Sequence, residues 1–508
     1  MKIINKIIAV LAGMLFVGII AGILALTIRG IPGNPTPAQV VDELRYETLP
    51  FELSPERGRY ALILSIVENN SFAFTKEIAA MAVPDLGTVN GTYVSLFAPG
   101  VSILAIPLYL LGRAYNLAQV TTFSFSAFFA LYNVLFIAVI VRKLTGNIYA
   151  GLTAGMTFLF GTSAWAYAST LYQHHVTTFL LLWAYYLLLY KNHVVITAFV
   201  GFLFGLSIFV EYPNAVLFVP FMLWLFWKHV SITQTEKTSS VAFSMAFFAV
   251  FVGFAIGIAP TLWYNMQAHG NPMQLTATLK SVRTLEVATQ SAQLAPTVSY
   301  APKTALGFFK YERLPRGLEV LLHSKDRGVL FFSPVILLGL LGFGFMRKKN
   351  AQATGALTGG LIMLFALYAM WGDPWGGWGF GPRYLIPAFG MFAIALGVAI
   401  AGYGRKFIFG LGYVLLLNYS VLINLVGVLT TIKIPPSVEQ DALLLPTPTF
   451  LHNVNILYQG LSSSYIYRTY VNQYMTLTSF AAILYITIIG LVAIFYVMAT
   501  RKKNEDIV

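Results

Sequence analysis

Residues 120–143 read VTTFSFSAFFALYNVLFIAVIVRK, an apolar run that ends on the basic pair Arg142-Lys143. At 1.5 Å of rise per residue, about 20 apolar residues cross the roughly 30 Å hydrocarbon core of a bilayer. A run of this length in lipid must be helical, because nothing there pairs with an open backbone group. The pattern recurs outward in both directions. Lys2 and Lys6 precede a run at 7–28, and further basic marks stand at Lys191, Lys228 with Lys237, Arg347-Lys348-Lys349, Arg405-Lys406 and Arg501-Lys502-Lys503. Between successive marks there is room for a helical hairpin. The runs 7–28, 120–141, 148–169, 172–190, 194–210, 213–228, 241–263, 329–346, 353–371, 384–404, 407–430 and 476–499 give about twelve spans. With positive charge held inside, both termini are expected in the cytoplasm. Residues 29–119, 264–328, 372–383 and 431–475 are then outer loops.

Composition agrees. The chain has 508 residues, 57% of them hydrophobic and 10% charged, against about 25% charged in a soluble domain. Its net charge of +13 sits largely at the ends of apolar runs, which argues for a membrane rather than for nucleic acid. Without cysteine there is no disulfide and no thiolate metal site. The run at 7–28 is longer than the apolar part of a secretory leader and lacks a small-residue cleavage site, so it is read as a first span. Residues 94–112 are also apolar. Counting them as a span inverts everything after them, and Pro99, Gly100 and Pro107 instead favour an interfacial or re-entrant helix. The expectation is an all-α polytopic membrane protein, with residues 1–430 as a transmembrane module and 431–508 as an outer loop plus a last span.

The first outer loop carries eight of the 19 acidic residues. Within it, Ser54-Pro55-Glu56-Arg57-Gly58-Arg59-Tyr60 opens an apolar stretch with helical spacing. Ser54 is read as an N-cap and Pro55 as a first-turn residue. Glu56 then lies near the positive end of the helix dipole, where it either stabilises the helix or does chemistry. Asp85 stands between Pro84 and Gly87, in a turn. Residues 371–384 are the strongest local oddity, with Trp371, Trp375, Trp378, five glycines, Asp373, Arg383 and Tyr384. A passive aromatic belt needs no glycines. Glycine permits close backbone approach, and aromatic faces stack on sugars or prenyl chains. His323-Ser324-Lys325-Asp326-Arg327 places cationic groups at an outer boundary, against the charge bias, and suits a phosphate. The pair His174-His175 projects about 100° apart on a helix and makes a poor metal site. Glu211 is an ionisable group at the outer end of a span.

Together these segments resemble the GT-C glycosyltransferases, membrane enzymes that use polyprenyl-phosphate sugars and include the protein O-mannosyltransferases and the lipid A aminoarabinose transferases. In the aminoarabinose transferases the catalytic acid opens an Asp-Glu-x-Arg-Tyr motif, which Glu56-Arg57-Gly58-Arg59-Tyr60 matches with Glu for Asp and Arg57 for the second acid. A group of prokaryotic members shares Pro84-Asp85, Tyr93-Val94-Ser95 with Pro99-Gly100, Asp326-Arg327-Gly328 with Ser333-Pro334, Trp375-Gly376-Gly377, and Gly381-Pro382-Arg383-Tyr384-Leu385.

The resemblance covers about residues 1–400. It implies a GT-C-like fold with a catalytic first outer loop, and transfer of a sugar from a polyprenyl-phosphate donor to a lipid, glycan or protein acceptor on the extracytoplasmic face of the cell membrane. Inversion at the anomeric carbon is expected. Glu56, or failing it Asp85, is the candidate base. Arg59, Lys325, Arg327 and Arg383 are candidates for the donor phosphate. Tyr60, Trp375, Trp378, Tyr384, His174 and His175 are candidates for sugar or lipid. No metal is required, although a divalent ion remains compatible. The alternatives are a transporter or flippase of a lipid-linked or small substrate, and a non-catalytic assembly factor. Transporters usually carry ionisable groups at the midplane and show internal repeats. Neither feature stands out here.

Overall fold

A computed structural model describes residues 2–190, 193–234, 239–285, 298–300, 304–442 and 449–501. The basic marks Lys191, Lys237 and Lys502-Lys503 lie outside them. Among the described residues, seven helices are long and apolar enough to cross a membrane: Val10–Thr27, Ala118–Thr145, Met245–His269, Ala351–Ala369, Arg383–Tyr403, Phe407–Leu429 and Leu477–Arg501. The protein is a polytopic helical membrane protein.

The other five expected spans are shorter or interrupted. Residues 148–169 break at Gly161 into Ile148–Phe160 and Ala164–Ala168. Residues 213–228 divide into Asn214–Leu217 and Val219–His229, and 329–346 pass through a 3₁₀ turn at Pro334–Gly339. His174–Leu188 and Val194–Val210 are continuous but have only 15 and 17 residues. The ambiguous run at 94–112 is the helix Gly100–Ala114, with Pro107 inside it. Fifteen residues reach about 22 Å, short of a bilayer core.

At the centre stands Ile386–Tyr403, packed against Ile148–Phe160, Ala118–Thr145, His174–Leu188 and Leu340–Lys349. Its alanines and glycines let neighbours approach closely, as is usual between helices in lipid. The tightest pair is Val194–Val210 against Met245–His269. A Cβ on Gly253 would fall 1.7 Å from the Ala198 carbonyl oxygen, and one on Gly201 would fall 2.1 Å from that of Val250.

The basic ends gather at one end of the bundle. Lys349 Nζ donates to Leu144 O (3.2 Å), Arg405 Nε to Thr500 O (2.5 Å), and Lys143 Nζ lies 4.3 Å from the Tyr190 ring centroid. At the other end, Arg29 and Glu52 form a fully buried ion pair at 2.6 Å. Arg29 also donates to Thr430 O, and Glu52 accepts from Thr48 N, Thr431 Oγ1 and Ile432 N. One ion pair thus ties together the end of the first span, the 29–119 segment and the segment after Leu429. Because each buried charge is paired and hydrogen-bonded, its desolvation is offset.

Two small sheets were not foreseen. Thr92–Ser95, Leu86–Val89, Lys280–Thr284 and Val298–Tyr300 form a four-stranded antiparallel sheet in that spatial order, joining the 29–119 segment to the loop after His269. Its hairpin turns at Asn90 and Gly91, both with positive φ (49° and 80°), the combination that favours Asn-Gly in two-residue hairpins. At the basic end, Val230–Gln234 pairs with Ser239–Phe243.

Candidate active site

A cavity of about 720 Å³ opens at the end of the bundle opposite the basic clusters, between the 29–119 segment and the glycine-rich loop. Its floor begins with the helix Ser54–Asn69. The N-cap of this helix is Leu53, not Ser54 as expected. The Ser54 hydroxyl is spent on Asp85, donating to Oδ2 at 2.5 Å. Asp85 lines the cavity and is only partly buried.

Glu56, the first-choice base, points elsewhere. It is fully buried, accepts from Phe51 N at 3.1 Å, and does not line the cavity. Burial pushes its carboxyl up to about 7, against the pull of Arg29. Arg57 explains how the acids are held in place. It donates Nε to Met81 O, Nη1 to Phe51 O and Glu52 O, and Nη2 to Val83 O, clasping the segment before Asp85 onto the start of the helix.

One turn along, Arg59 faces the cavity. It donates to Pro55 O (3.0 Å) and to Gln173 Oε1 (2.5 Å), and its guanidinium lies 4.8 Å from the Phe97 ring and 5.4 Å from the Tyr172 ring. Gly58 makes room for this stack, since a Cβ there would come within 2.6 Å of the Phe97 ring. Burial pulls the guanidinium down to about 10, still charged at neutral pH. Arg383 approaches the same tyrosine from another element. It donates to Tyr172 Oη at 3.1 Å and to Gly376 O, with its guanidinium 5.6 Å from the Tyr172 ring and 5.4 Å from the Tyr384 ring. Among the described residues, the buried Nε–H of each arginine has no hydrogen-bond acceptor. Two guanidiniums lining one cavity wall make a site for an anion.

The glycine-rich loop is folded by its own acid. Asp373 accepts from Trp375 N (3.1 Å) and from Gly377 N, while Gly376, Gly377 and Gly381 sit at positive φ (71°, 63° and 60°), where a side chain would be strained. The turn they permit brings Arg383, Tyr384 and Trp378 to the cavity. Trp378 Nε1 donates to Glu439 Oε2 at 2.6 Å, and Lys433 Nζ lies 5.8 Å from its ring, so the 431–442 segment forms part of the rim. Opposite, Gln173 Nε2 donates to Glu211 Oε1 (2.8 Å), Tyr368 Oη approaches the same oxygen at 3.5 Å, and Tyr368 stacks on Tyr384 with centroids 4.4 Å apart and planes 6° from parallel. Burial raises the Glu211 carboxyl, opposed by the hydrogen bond from Gln173.

The remaining expected residues divide between the cavity and the scaffold. His174 lines the cavity, stacked on Tyr172. His175 is turned into the bundle, with Nε2 2.7 Å from Ala164 O. Tyr60 is a core residue packed edge-on against Phe51 and Tyr109. Trp375 lies outside the lining, with the Arg316 guanidinium 6.0 Å from its ring. Lys325 is exposed and does not line the cavity.

Arg327 corrects the expectation most clearly. It is 2% exposed, and its nitrogens donate to the carbonyls of Trp375, Asp326, Gly377 and Ile434. Asp326 in turn accepts from Ser437 N and Oγ. The pair holds the glycine-rich loop and the 434–437 segment together rather than presenting charge to a phosphate. Sequence reasoning missed Tyr172 and Gln173, although they stand directly before the histidines it singled out, and left Glu211 without a partner.

No protein-family model and no curated protein sequence matches the chain. Among solved structures, the chain is similar to ArnT from Cupriavidus metallidurans in the apo state, at 12% identity, over 98% of this chain and 77% of that one, with a TM-score of 0.45. It is similar also to the same protein bound to undecaprenyl phosphate, at 12% identity, over 96% and 77%, with a TM-score of 0.47. The Archaeoglobus fulgidus oligosaccharyltransferase, in complex with Zn and sulfate, aligns at 13% identity over 85% of this chain and 57% of that one, with a TM-score of 0.39.

Proposed function

We propose that the protein transfers a sugar from a polyprenyl-phosphate donor to a hydroxyl acceptor, with the donor phosphate held by Arg59 and Arg383. The observation that carries this reading is the pair of guanidiniums beside Tyr172, both lining one cavity with a partly exposed carboxylate. Asp85 is the preferred base. It lines the cavity, whereas Glu56 is sealed behind it.

The acceptor oxygen attacks the anomeric carbon and loses its proton to Asp85. The bond from that carbon to the phosphate oxygen breaks, and its electron pair leaves on the phosphate beside the two arginines. Displacement from the opposite face inverts the anomeric centre, and the scheme requires no metal. The acceptor is a lipid, an envelope glycan or a protein. Charge bias supports a cell-membrane orientation with the basic end and both termini in the cytoplasm and the cavity outside.

The test is turnover by purified protein in nanodiscs, given membrane extract as acceptor and a panel of undecaprenyl-phosphate sugars. Asp85→Asn is expected to lower the rate by about 10²–10⁴-fold while still binding undecaprenyl phosphate, and Glu56→Gln to keep most of it. Full turnover by Asp85→Asn would move the base elsewhere.

A further inference from the structure

We infer that Glu211 reads a hydroxyl of the sugar carried by the donor lipid, making it a specificity-determining residue of the cavity. The inference rests on the transferase reading and extends it from the phosphate to the group transferred. Glu211 follows the helix Val194–Val210 directly, lines the cavity and is only partly buried. Its two hydrogen bonds, from Gln173 Nε2 and Tyr368 Oη, both fall on Oε1. Among the described residues, Oε2 accepts none.

The orientation of Gln173 is dictated by chemistry. Arg59 has only donors, so the amide oxygen must face it and the amide NH₂ must face Glu211. The acid is therefore held one amide away from the phosphate grip, and among the described residues no ion pair neutralises it. A phosphate is repelled by a carboxylate and goes to the arginines. What the free carboxylate oxygen takes is a neutral O–H donor. Beside it stand the stacked rings of Tyr368 and Tyr384, an apolar wall of the kind that packs against the C–H face of a sugar. An acceptor oxygen and an aromatic wall directly beside two guanidiniums suit the sugar and the phosphate of one glycosyl phosphate.

A site built to hydrogen-bond a substrate hydroxyl discriminates strongly, because its own polar group is otherwise left unpaired. Glu211→Gln is nearly isosteric and keeps an oxygen to accept from Gln173, so the fold and Arg59 stay in place. The test compares binding of undecaprenyl phosphate with that of undecaprenyl phosphate mannose, glucose and arabinose, using wild type, Glu211→Gln and Arg59→Gln in nanodiscs. Wild type is expected to bind at least one sugar lipid more tightly than the sugar-free lipid. Glu211→Gln should weaken that sugar lipid by about tenfold or more and leave undecaprenyl phosphate unchanged. Three results would overturn the inference: equal weakening of both ligands, which would make Glu211 a positioning residue for Arg59; unchanged affinity for the sugar lipid; or no sugar lipid preferred by wild type. If Arg59→Gln binds undecaprenyl phosphate as wild type does, the transferase reading fails instead, on a separate measurement.

Discussion

Two carboxyls, Glu56 and Asp85, belong to one loop and differ in what surrounds them. Glu56 is pushed up to about 7 by burial, whereas the unfolded chain titrates it near 4.5. Between these values the folded state keeps a proton that the unfolded state has released. The stability present below pH 4.5 is therefore lost as pH rises through 7. Glu56→Gln cannot ionise. It should melt above wild type at pH 8 and level with it at pH 4.5, a gap on the order of 3 kcal/mol, read by thermal melts in detergent; a constant gap at both values would contradict the assignment. Arg59→Lys loses the planar fork and should weaken undecaprenyl phosphate by roughly tenfold. The Gly-Pro-Arg-Tyr block and Arg59 were singled out in the sequence, and Arg59, Arg383 and Tyr384 line the cavity. The role of Arg327 was not legible, because a cation at a membrane boundary looks the same whether it faces a phosphate or four carbonyls. Gln173 carried no signal of its own, since its role exists only between Arg59 and Glu211, residues distant in the chain.

Helices that cross the bilayer were legible from length and apolar content, and their interruptions only in part. The run at 94–112, read as an interfacial or re-entrant helix because of Pro99, Gly100 and Pro107, forms the fifteen-residue helix Gly100–Ala114. Gly161 and Ser333-Pro334 were overrun, because hydropathy stays high through a break. The four-stranded sheet escaped notice because its strands are short and two of its partners, Leu86–Val89 and Lys280–Thr284, lie far apart in sequence. Glycines shape the closest helix pair. Gly253→Val places a side chain against the Ala198 carbonyl and should cost about 3 kcal/mol or more, seen as a lower melting temperature without a specific loss of lipid affinity. Arg327→Leu leaves its carbonyl partners without a donor and should lower melting in the same way, while the folded fraction binds undecaprenyl phosphate as wild type does. Weaker binding with unchanged melting would return Arg327 to the phosphate site.

Across the whole molecule, basic clusters and cavity occupy opposite ends of one helical bundle, which is what allows charge bias to propose an orientation. The chain has no cysteine, so single introduced thiols report cleanly. Thr92→Cys, exposed on the hairpin beside the cavity, should react with an impermeant maleimide in intact cells. Asn350→Cys, exposed beside Arg347-Lys348-Lys349, should react only after permeabilisation. The reverse pattern would turn the cavity to the cytoplasm. The central claim is that the cavity breaks the bond between a sugar and a polyprenyl phosphate. Its most direct test is the appearance of free undecaprenyl phosphate, followed by mass spectrometry, when purified protein in nanodiscs receives membrane extract and undecaprenyl-phosphate sugars. Release that depends on acceptor, and that disappears with Asp85→Asn, is the predicted result. No release from any donor, together with movement of the intact sugar lipid between leaflets of reconstituted vesicles, would contradict the account and make the protein a carrier of the lipid instead.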